Sequence, residues 1–469
     1  MPKPNIVFIL ISDMGWRDVG FLGCPTHKTP NIDRLAHGGM IFPQTYSCGP
    51  NCAPSRASIM SGMFTPRHEI YTPGGASKGD PRLMKLKTPF RGAESEFPPN
   101  YPIALKPEVT CIPEILKAAG YTCGAVGKWQ LGNDPEAGPL SKGFSHNVGG
   151  YQAMPHVHFS PYNSPAMVNG PDGEYLTDRF TDEAIEFIHT NRDNPFFLYL
   201  AHWALHTPIQ AKTEKIEAYE RAGHPNPTYA AMIESVDESV GRVRETLDEL
   251  GLTDNTLVIF SADHGGVANI TDLSPLRGGK GSLYEGGLRV STCMRWPGVI
   301  HPGSTCNVPI YGIDFMPTLA EVASGLLPAS QPSDGESLVP LFSGVTSLER
   351  DAMYWHFPLY LAGNGPQNFT PLSGGQSLQG QGWRAVPSGA IRKGDWKLIH
   401  RFETGDMELY NIADDISEQN DLTTQQPEKA TELLADLKLW QRDTKAIIPN
   451  EPNPLYDADH EHSVAHQGV

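Results

Sequence analysis

Several features that would indicate common protein classes are missing from this sequence of 469 residues. A bilayer span takes about 20 consecutive apolar residues, and no run in the chain approaches that length. The apolar run at residues 6–11 is short and is soon followed by Asp13, so it does not resemble a leader segment either. We therefore expect no membrane anchor, and either a cytoplasmic protein or one whose leader has been removed.

Cysteine and positive charge are both scarce. The seven cysteines form no CxxC pair, and their odd number leaves at least one thiol outside any disulfide. Lysine and arginine total 36 against 53 aspartates and glutamates, which gives a formal net charge of -17. Because such a surface repels nucleic acid and anionic membranes, neither is an expected partner. An anionic substrate would need cations concentrated at one place.

Internal repeats and low-complexity tracts are also absent, whereas glycine (47) and proline (42) are plentiful. The chain exceeds the length of one ordinary domain of about 100–200 residues. Its pattern changes near residue 345, so we predict a catalytic domain at residues 1–345 and a smaller domain at residues 346–469. The sequence says nothing of the oligomeric state.

The first part of the chain alternates strand-like and helix-like segments, which is typical of an α/β fold with a mainly parallel sheet flanked by helices. The expected strands are residues 5–11, 122–126, 195–200 and 256–260. The expected helices include residues 113–119, 178–190 and 229–250. Polar residues follow several strands directly, at the edge where α/β sheets bind ligands.

The second part predicts a small α+β unit with a short antiparallel sheet. Its expected elements are strands at residues 388–392, 396–400 and 408–411 and a helix at residues 427–442. The Gly-, Gln- and Pro-rich stretch at residues 361–387 lies before these strands. We expect that stretch to be a long surface loop.

The sharpest local motif is Cys52-Ala53-Pro54-Ser55-Arg56. Proline suits the first turn of a helix, so Cys52 is expected at a helix N-terminus, where backbone N–H groups favour negative charge. Two interpretations remain open from these residues alone. Cys52 is either a reactive nucleophile or a packed core cysteine.

This motif resembles the maturation signature of the type I sulfatases of the alkaline phosphatase superfamily, in which the cysteine is oxidised to formylglycine. Further segments resemble the same family in the same order along the chain: residues 4–15, 28–35, 127–132, 206–208, 261–265, 276–281, 284–289, 314–318 and 391–398. The resemblance implies an alkaline-phosphatase-like fold, most similar to bacterial polysaccharide sulfatases, and a formylglycine-generating maturation enzyme as a partner.

The resemblance also implies the roles of individual residues. Hydrated formylglycine 52 would attack sulfur beside one divalent metal, with Ca²⁺ expected and Mg²⁺ or Mn²⁺ as alternatives. The implied metal ligands are Asp13, Asp263, His264, the matured Cys52 and the weaker Ser12. The implied catalytic residues, which hold the sulfate or serve the nucleophile, are Cys52, Arg56, Lys128, Gln130, His206 and Lys280.

Two positions depart from the family pattern. Ser12 stands where members usually carry a second aspartate, so the metal site loses a negative charge and its affinity should fall. Gln130 stands where the family has a histidine, and an amide cannot accept a proton at neutral pH. A natural subfamily, a chain altered to trap substrate and a binding-only member are all compatible with these residues.

A sulfated carbohydrate is the expected substrate, and the resemblance places the protein in the periplasm or outside the cell. Aromatic and imidazole side chains could contact the sugar: Trp203, Trp355, Trp383, His156, His158 and His202. Two rival functions remain: a phosphoester or phosphonate hydrolase of the same superfamily, and a lectin-like binder of sulfated glycans.

Overall fold

The strand nearest the start of the chain lies at the centre of the main sheet. The computed structural model describes residues 3–75, 77–88, 104–153, 155, 157–362 and 382–466, with side chains to residue 464. Within these ranges β1 (Asn5–Ile11) pairs in parallel with β6 (Phe196–His202) on one side and β7 (Thr256–Ala262) on the other. A strand buried on both faces reads as a continuous apolar run, which is what residues 6–11 show.

Further strands and helices alternate along the rest of the chain. The other strands are β2 (Met40–Ile41), β3 (Thr45–Tyr46), β4 (Thr122–Gly127), β5 (His146–Val148), β8 (Arg289–Val290), β9 (Thr292–Arg295), β10 (Ser304–Thr305), β11 (Ile310–Tyr311), β12 (Ala352–Phe357), β13 (Leu361–Ala362), β14 (Trp383–Ala385), β15 (Ser388–Lys393), β16 (Trp396–Arg401) and β17 (Met407–Asn411). The helices are α1 (Pro30–His37), α2 (Cys52–Ser61), α3 (Thr65–His68), α4 (Ile112–Ala118), α5 (Leu176–Asn191), α6 (Thr213–Arg221), α7 (Pro227–Glu249), α8 (Glu285–Leu288), α9 (Phe315–Val322), α10 (Val339–Phe342), α11 (Pro427–Asp443) and α12 (Ala458–His466).

The main sheet has eight strands in the order β10-β2-β9-β7-β1-β6-β4-β5. Its pairings are parallel except those of β9 with β2 and β7. The predicted α/β class with a mainly parallel, alkaline-phosphatase-like sheet is therefore confirmed. The expected strands and helices of the first part are present, with ends that differ from the prediction by one or two residues.

Helices cover both faces of this sheet. Ile6, Phe8 and Leu10 pack into one apolar core with side chains of α2, α4 and α9. Val7 and Ile9 point to the opposite core, which α1, α5 and α7 complete. Full burial of one such aliphatic side chain contributes about 1.5–3 kcal/mol. These two cores hold the central strands in place, so the loops after those strands start from fixed positions.

A second, antiparallel sheet forms in the C-terminal part, as predicted. Its strands are ordered β12-β15-β16-β17, and α11 packs on one face. The helix buries Ala430, Leu433 and Leu437 against Ile391 and Leu398 of this sheet. The sequence prediction missed β12, which closes the edge of the sheet beside β15.

The predicted surface loop at residues 361–387 needs a correction at both ends. Leu361 belongs to β13 and Trp383 to β14, and these two strands pair with each other. Both side chains are buried, and Trp383 packs on Tyr360. The apolar side chains at the ends of the stretch therefore anchor it to the protein, while residues 363–381 lie outside the described residues.

A buried ionic cluster joins the two parts of the chain. Lys397 of β16 lies 3.0 Å from the carboxylate of Glu285 and 2.9 Å from that of Glu418, and all three side chains are fully buried. Glu285 also pairs with Arg289 at 2.8 Å, whereas Lys397 is the one ion-pair partner of Glu418 among the described residues, so the charge of Glu418 is less well compensated. Burial raises the pKa of Glu418 to about 7, although Lys397 opposes the rise.

None of the helices within the described ranges has both the length and the apolar content that a membrane span requires.

The Glu418 carboxyl group is predicted to make stability depend on pH. Its pKa rises from about 4.5 in the unfolded chain to about 7 when folded, so the folded protein holds an extra proton between these values. Stability contributed by this group is complete below the lower value and is lost as pH rises through the higher one. Wild type should lose about 1–3 kcal/mol relative to Glu418→Gln across this window.

Denaturant unfolding of both proteins at several pH values measures this difference. Glu432→Gln, at an exposed position on α11, is the matched control and should run parallel to wild type. A constant difference between wild type and Glu418→Gln at all pH values would contradict the assignment.

Candidate active site

Two buried carboxylates meet at the carboxyl edge of the main sheet. Asp13 follows β1 and Asp263 follows β7, so the parallel pairing of these neighbouring strands sets the two residues side by side. The backbone N–H of Asp13 donates to Oδ1 of Asp263 at 3.2 Å, and both side chains are at most 1% exposed. Asp13 adopts a left-handed backbone with φ 62°, a conformation that is uncommon for non-glycine residues.

Cys52 lies beside this carboxylate pair, at the first residue of α2. The predicted position at a helix N-terminus is therefore confirmed. Its Sγ atom is 3.1 Å from Nε2 of His264 and 3.7 Å from Oδ1 of Asp13. His264 Nε2 also lies 3.3 Å from Asp13 Oδ1 and 3.4 Å from Asp263 Oδ1. Three potential ligands thus surround the reactive position.

Arg56, one turn along α2, is the internal counter-ion of Asp263. Its Nε and Nη2 atoms donate to Oδ2 of Asp263 at 3.1 and 3.0 Å. Its Nη1 atom donates to the carbonyl of Lys128 and to the hydroxyl of Tyr199. All of its charge is used inside the protein and none of the side chain is exposed. Arg56 therefore holds Asp263 in place from inside the protein.

Lys128 enters the site from the end of β4. The turn depends on Gly127, whose φ is 102° and where a Cβ atom would lie 2.0 Å from the carbonyl oxygen of Ala201. The Nζ atom of Lys128 donates to Oγ of Ser12 at 2.6 Å and lies 3.9 Å from Asp263. Ser12 thus accepts a hydrogen bond from a lysine at the position where the resemblance expects a carboxylate.

Lys280 and His206 form the open side of the site. Lys280 Nζ donates to both carboxylate oxygens of Asp13 at 2.8 Å. His206 Nε2 lies 4.0 Å from Asp13, and its ring stacks on Trp203 with centroids 4.0 Å apart. The Lys280 side chain is 13% exposed and that of His206 is 22% exposed, whereas Lys128 is fully buried. A ligand therefore enters past Lys280 and His206.

The charges of the site shift its acid and thiol groups. Burial raises the pKa of Asp13, yet Lys280, His206 and His264 together hold it well below its usual range. Burial likewise opposes ionisation of Cys52, but Lys128 and Lys280 bring its pKa well below the usual 9.0. The site therefore stabilises negative charge at residue 52, as a nucleophile or an anionic ligand requires.

The same groups could hold a cation. The ligand atoms of Cys52, Asp263 and His264 all lie within 4.8 Å of one another, and so do those of Asp13, Cys52 and His206. Two buried carboxylates at one point suit a hard divalent ion, and one imidazole adds a softer donor.

Gln130 is a buried residue that follows Lys128 by two positions. Its side chain is 8% exposed, and Oε1 accepts no hydrogen bond from the described part of the chain. Its backbone has φ 60°, and its N–H donates to the carbonyl of Tyr151. The structure thus brings together nine of the ten residues that the resemblance implied, and within the described residues no contact joins Gln130 to them.

Several of the residues expected to touch a sugar are instead buried. Trp355 and Trp383 are core residues, 1% and 4% exposed. His202 is fully buried against Ser239 of α7, and burial lowers its pKa to about 3. The aromatic and imidazole residue types suggested sugar contacts, but residue type gives no information on which way a side chain points.

Two of the remaining residues that were expected to contact the sugar, Trp203 and His158, instead contact His206 of the site. Trp203 lies beneath His206, and Lys128 Nζ is 4.6 Å from its ring centroid. The fully buried His158 lies 3.0 Å from the carbonyl oxygen of His206 through its Nε2 atom. His156 falls outside the described part of the chain.

Sequence reasoning missed three residues that contact or face the site. Ser55 donates to the backbone carbonyl of Asp263 through its hydroxyl, and Tyr199 accepts from Arg56. Arg384, on β14, packs against Gly281, the residue after Lys280. Ser55 follows Cys52 by three residues, so the Cys52 motif could have indicated it. Arg384 lies within residues 361–387, which the sequence analysis predicted to be a surface loop.

A site of this kind suits hydrolysis of an anionic ester, because a nucleophile lies between acidic ligands and cations. A family model described as Sulfatase matches residues 4–326. N-acetylgalactosamine-6-sulfatase of Mus musculus is 32% identical over 384 residues, which cover 75% of this chain and 68% of that protein. A sulfatase of Formosa agariphila is 30% identical over 521 residues, covering 96% and 89%.

Solved structures also match the fold of this chain. The crystal structure of Ps i-CgsB matches with a TM-score of 0.74 and 27% identity, over 99% of this chain and 98% of that one. The same protein is also solved in complex with k-i-k-neocarrahexaose. The chain belongs to the sulfatase family, and it is a sulfuric ester hydrolase.

Removing the Arg56 side chain is predicted to destabilise the folded protein. Arg56→Met leaves Asp263 without the guanidinium that donates twice to its Oδ2 atom in a fully buried site, and breaking such a pair costs about 3–5 kcal/mol. Urea unfolding of the metal-free protein measures the loss. The double variant Arg56→Met/Asp263→Asn removes the orphaned charge and should recover more than about 1 kcal/mol. A loss below about 1 kcal/mol in the single variant would show that Arg56 does not stabilise Asp263.

Proposed function

We propose that this enzyme hydrolyses a sulfate ester on a carbohydrate, using formylglycine made from Cys52 and one divalent metal, with Ca²⁺ as the first candidate. The observation that carries the proposal is the convergence of Asp13, Asp263 and His264 on a cysteine at a helix N-terminus. A maturation enzyme must reach Cys52 before the site closes, because the residue is only 1% exposed when folded.

The donor set fits a divalent cation. Asp13 and Asp263 would supply oxygen ligands, His264 would supply Nε2, and Ser12 has a neutral oxygen nearby. A metal bound there would polarise the sulfate and lower the pKa of an attacking hydroxyl. Because Ser12 brings no charge, we expect weaker binding than a site with a third carboxylate has. The imidazole donor keeps Mn²⁺ as an alternative to Ca²⁺, and Mg²⁺ remains a third.

Residue 52 is the proposed nucleophile. The matured side chain would supply a hydroxyl of the hydrated aldehyde for attack on sulfur. Lys128 and Lys280 lower the pKa of the present thiol, and the same two charges would favour an ionised hydroxyl at that position. The helix N-terminus adds to this preference, because the first backbone N–H groups of α2 have no carbonyl partner within the helix.

The sulfate is proposed to bind between Lys128, Lys280 and His206. Lys128 donates to Ser12 and Lys280 donates to Asp13, so both ammonium groups lie beside the proposed metal ligands. Charge-assisted donors fixed before the substrate arrives stabilise developing negative charge without further reorganisation. His206 is the most exposed of the three, so it lies nearest to the alcohol that leaves.

Gln130 is the least usual part of the proposed centre. An amide can orient a hydroxyl but cannot take its proton, so the return from the enzyme-bound sulfate ester to the aldehyde lacks an evident side-chain base here. We therefore propose that turnover is slower than in a site with an imidazole at this position. Binding without turnover is the outcome that would favour a glycan-binding protein instead.

A carbohydrate substrate is supported by two comparisons. A relative at 32% identity is named for the sulfate of N-acetylgalactosamine, and the solved structure at 27% identity was obtained with a neocarrahexaose bound. The proposal places this enzyme in the periplasm or outside the cell, where polysaccharide fragments are met.

Formylglycine is predicted at residue 52 when the chain is produced together with a formylglycine-generating enzyme. Peptide mass spectrometry should show the residue 52 peptide lighter by the exchange of the thiol for a carbonyl. Cleavage of 4-nitrophenyl sulfate should fall about a thousandfold or more in Cys52→Ala, because the nucleophile is lost. Cys48→Ala, at a neighbouring buried thiol, is the control and should keep both the modification and the activity.

Two results would refute this mechanism. One is an unmodified thiol at residue 52 in protein that still cleaves the sulfate. The other is faster cleavage of a 4-nitrophenyl phosphonate ester than of the sulfate, which would favour the phosphonate hydrolase alternative.

Restoring the family residues is predicted to strengthen the metal site and speed turnover. Ser12→Asp adds a carboxylate beside Asp13 and Asp263, so calorimetry should show Ca²⁺ affinity raised by about tenfold. Adding Gln130→His supplies an imidazole base and should raise kcat by about tenfold or more. Ser12→Asn is the neutral control and should leave the affinity within about threefold of wild type. Unchanged or lower values in the double variant would show that the site is adapted to Ser12 and Gln130.

A further inference from the structure

An arginine from the C-terminal part of the chain reaches the mouth of the active site. Arg384 lies on β14, and its Cβ and Cδ atoms are 3.4 and 3.7 Å from the point where Gly281 would carry a Cβ atom. Gly281 in turn follows Lys280 and donates its N–H to the carbonyl of Pro50 at 2.8 Å. Since Pro50 precedes Cys52 by two residues, Arg384 is packed against the backbone that frames the nucleophile.

The guanidinium of Arg384 has donors to spare. Its Nε atom donates to the carbonyl oxygen of Ala362 at 3.2 Å, which fixes the direction of the side chain. Within the described ranges, no carboxylate lies at ion-pair distance from it, and its terminal nitrogens make no hydrogen bond. The side chain is half-buried, so water does not fully surround it.

The other cations of the site are already occupied. Arg56 is bound to Asp263, and Lys280 is bound to both oxygens of Asp13. Lys128, the remaining buried lysine, lies 3.9 Å from Asp263. Both carboxylates are thus committed to other partners. A fourth cation without a carboxylate of its own gives the mouth of the site an excess of positive charge in a protein of net charge -17.

A half-buried arginine without a carboxylate partner favours the binding of an anion. Burial lowers the pKa of Arg384, although the nearby charges of Asp13 and Cys52 oppose this effect. A cation held away from water without a partner costs free energy, and an anion brought by a ligand would recover it. The planar guanidinium matches a sulfate or a carboxylate through two parallel hydrogen bonds.

We propose that Arg384 binds a second anionic group of the substrate, a sulfate or a carboxylate next to the sulfate that is cleaved. The substrates of this enzyme would then be saccharides that carry at least two anionic groups close together. Lys128, Lys280 and His206 hold the reacting sulfate, and Arg384 selects its neighbour from β14. This inference rests on the proposed sulfatase function and adds a substrate class to it.

Binding to a chain that cannot turn over tests the role of Arg384 directly. Calorimetry on Cys52→Ala with added Ca²⁺ would compare three disaccharides, which carry one sulfate, two sulfates, or one sulfate and one carboxylate. The parent should bind at least one of the two doubly anionic sugars more tightly than the monosulfated one. Arg384→Gln should reduce that preference about tenfold or more, because a bidentate charged contact is lost. The disaccharide whose preference falls identifies the second group as sulfate or carboxylate.

Two further variants make the result specific. Arg384→Lys keeps the charge but loses the bidentate geometry, so the preference should fall to an intermediate value. It also serves as the test if Arg384→Gln does not fold. Arg192→Gln, at an exposed arginine whose nearest carboxylate is Asp193 at 4.0 Å, should leave the preference of the parent unchanged.

Equal weakening of all three sugars by Arg384→Gln would overturn the inference, since Arg384 would then hold the reacting sulfate itself. An unchanged preference would overturn it as well, as would a parent that does not favour either doubly anionic sugar. Absence of sulfate release by the matured wild type would instead overturn the proposed function. These failures are distinguishable, because the binding comparison uses no turnover.

Discussion

The whole active site is arranged around two buried carboxylates that lie side by side. Asp13 and Asp263 are nearly unexposed, and like charges so close cannot both remain ionised without compensation. Arg56 compensates the charge of Asp263 from inside the protein, and Lys280 compensates that of Asp13 at the open side of the site. The oxygen atoms of these two carboxylates are the reason to propose a divalent ion at this point, and the cations around them are the reason that an anionic ester can approach an acidic protein.

The fold fixes this arrangement through a few rigid elements. Adjacent parallel strands carry the two aspartates at the same edge of the sheet, and the apolar cores on both faces prevent those strands from shifting. The first turn of α2 supplies both Cys52 and Arg56, so one helix orients the nucleophile and the counter-ion of Asp263 together. The small C-terminal sheet is held to the first part of the chain by Lys397, which pairs with Glu285 of α8 and with Glu418. Strand β14 places Arg384 beside Gly281, the residue after Lys280.

The central strand, the long helix α7 and the start of α2 could be predicted, because each depends on local sequence. The apolar run before Asp13, the amphipathic pattern of α7 and the proline after Cys52 each reflect a rule that acts within a few residues. The direction of a side chain is a tertiary property, so Trp355 and His202 were expected at a sugar and lie in the core. Arg384 could not be found either, because its role depends on the pairing of β13 with β14 across residues 363–381.

The central claim is that sulfate esters of a carbohydrate are hydrolysed at residue 52 between Asp13 and Asp263. The most direct measurement is ion chromatography of sulfate released from a panel of sulfated oligosaccharides by the matured enzyme with Ca²⁺, beside its Asp263→Asn variant. Steady release of sulfate from at least one oligosaccharide, lost in the variant, is the result that this account predicts. Release that persists in Asp263→Asn, or tight binding of the oligosaccharides with no sulfate released by wild type, would contradict it.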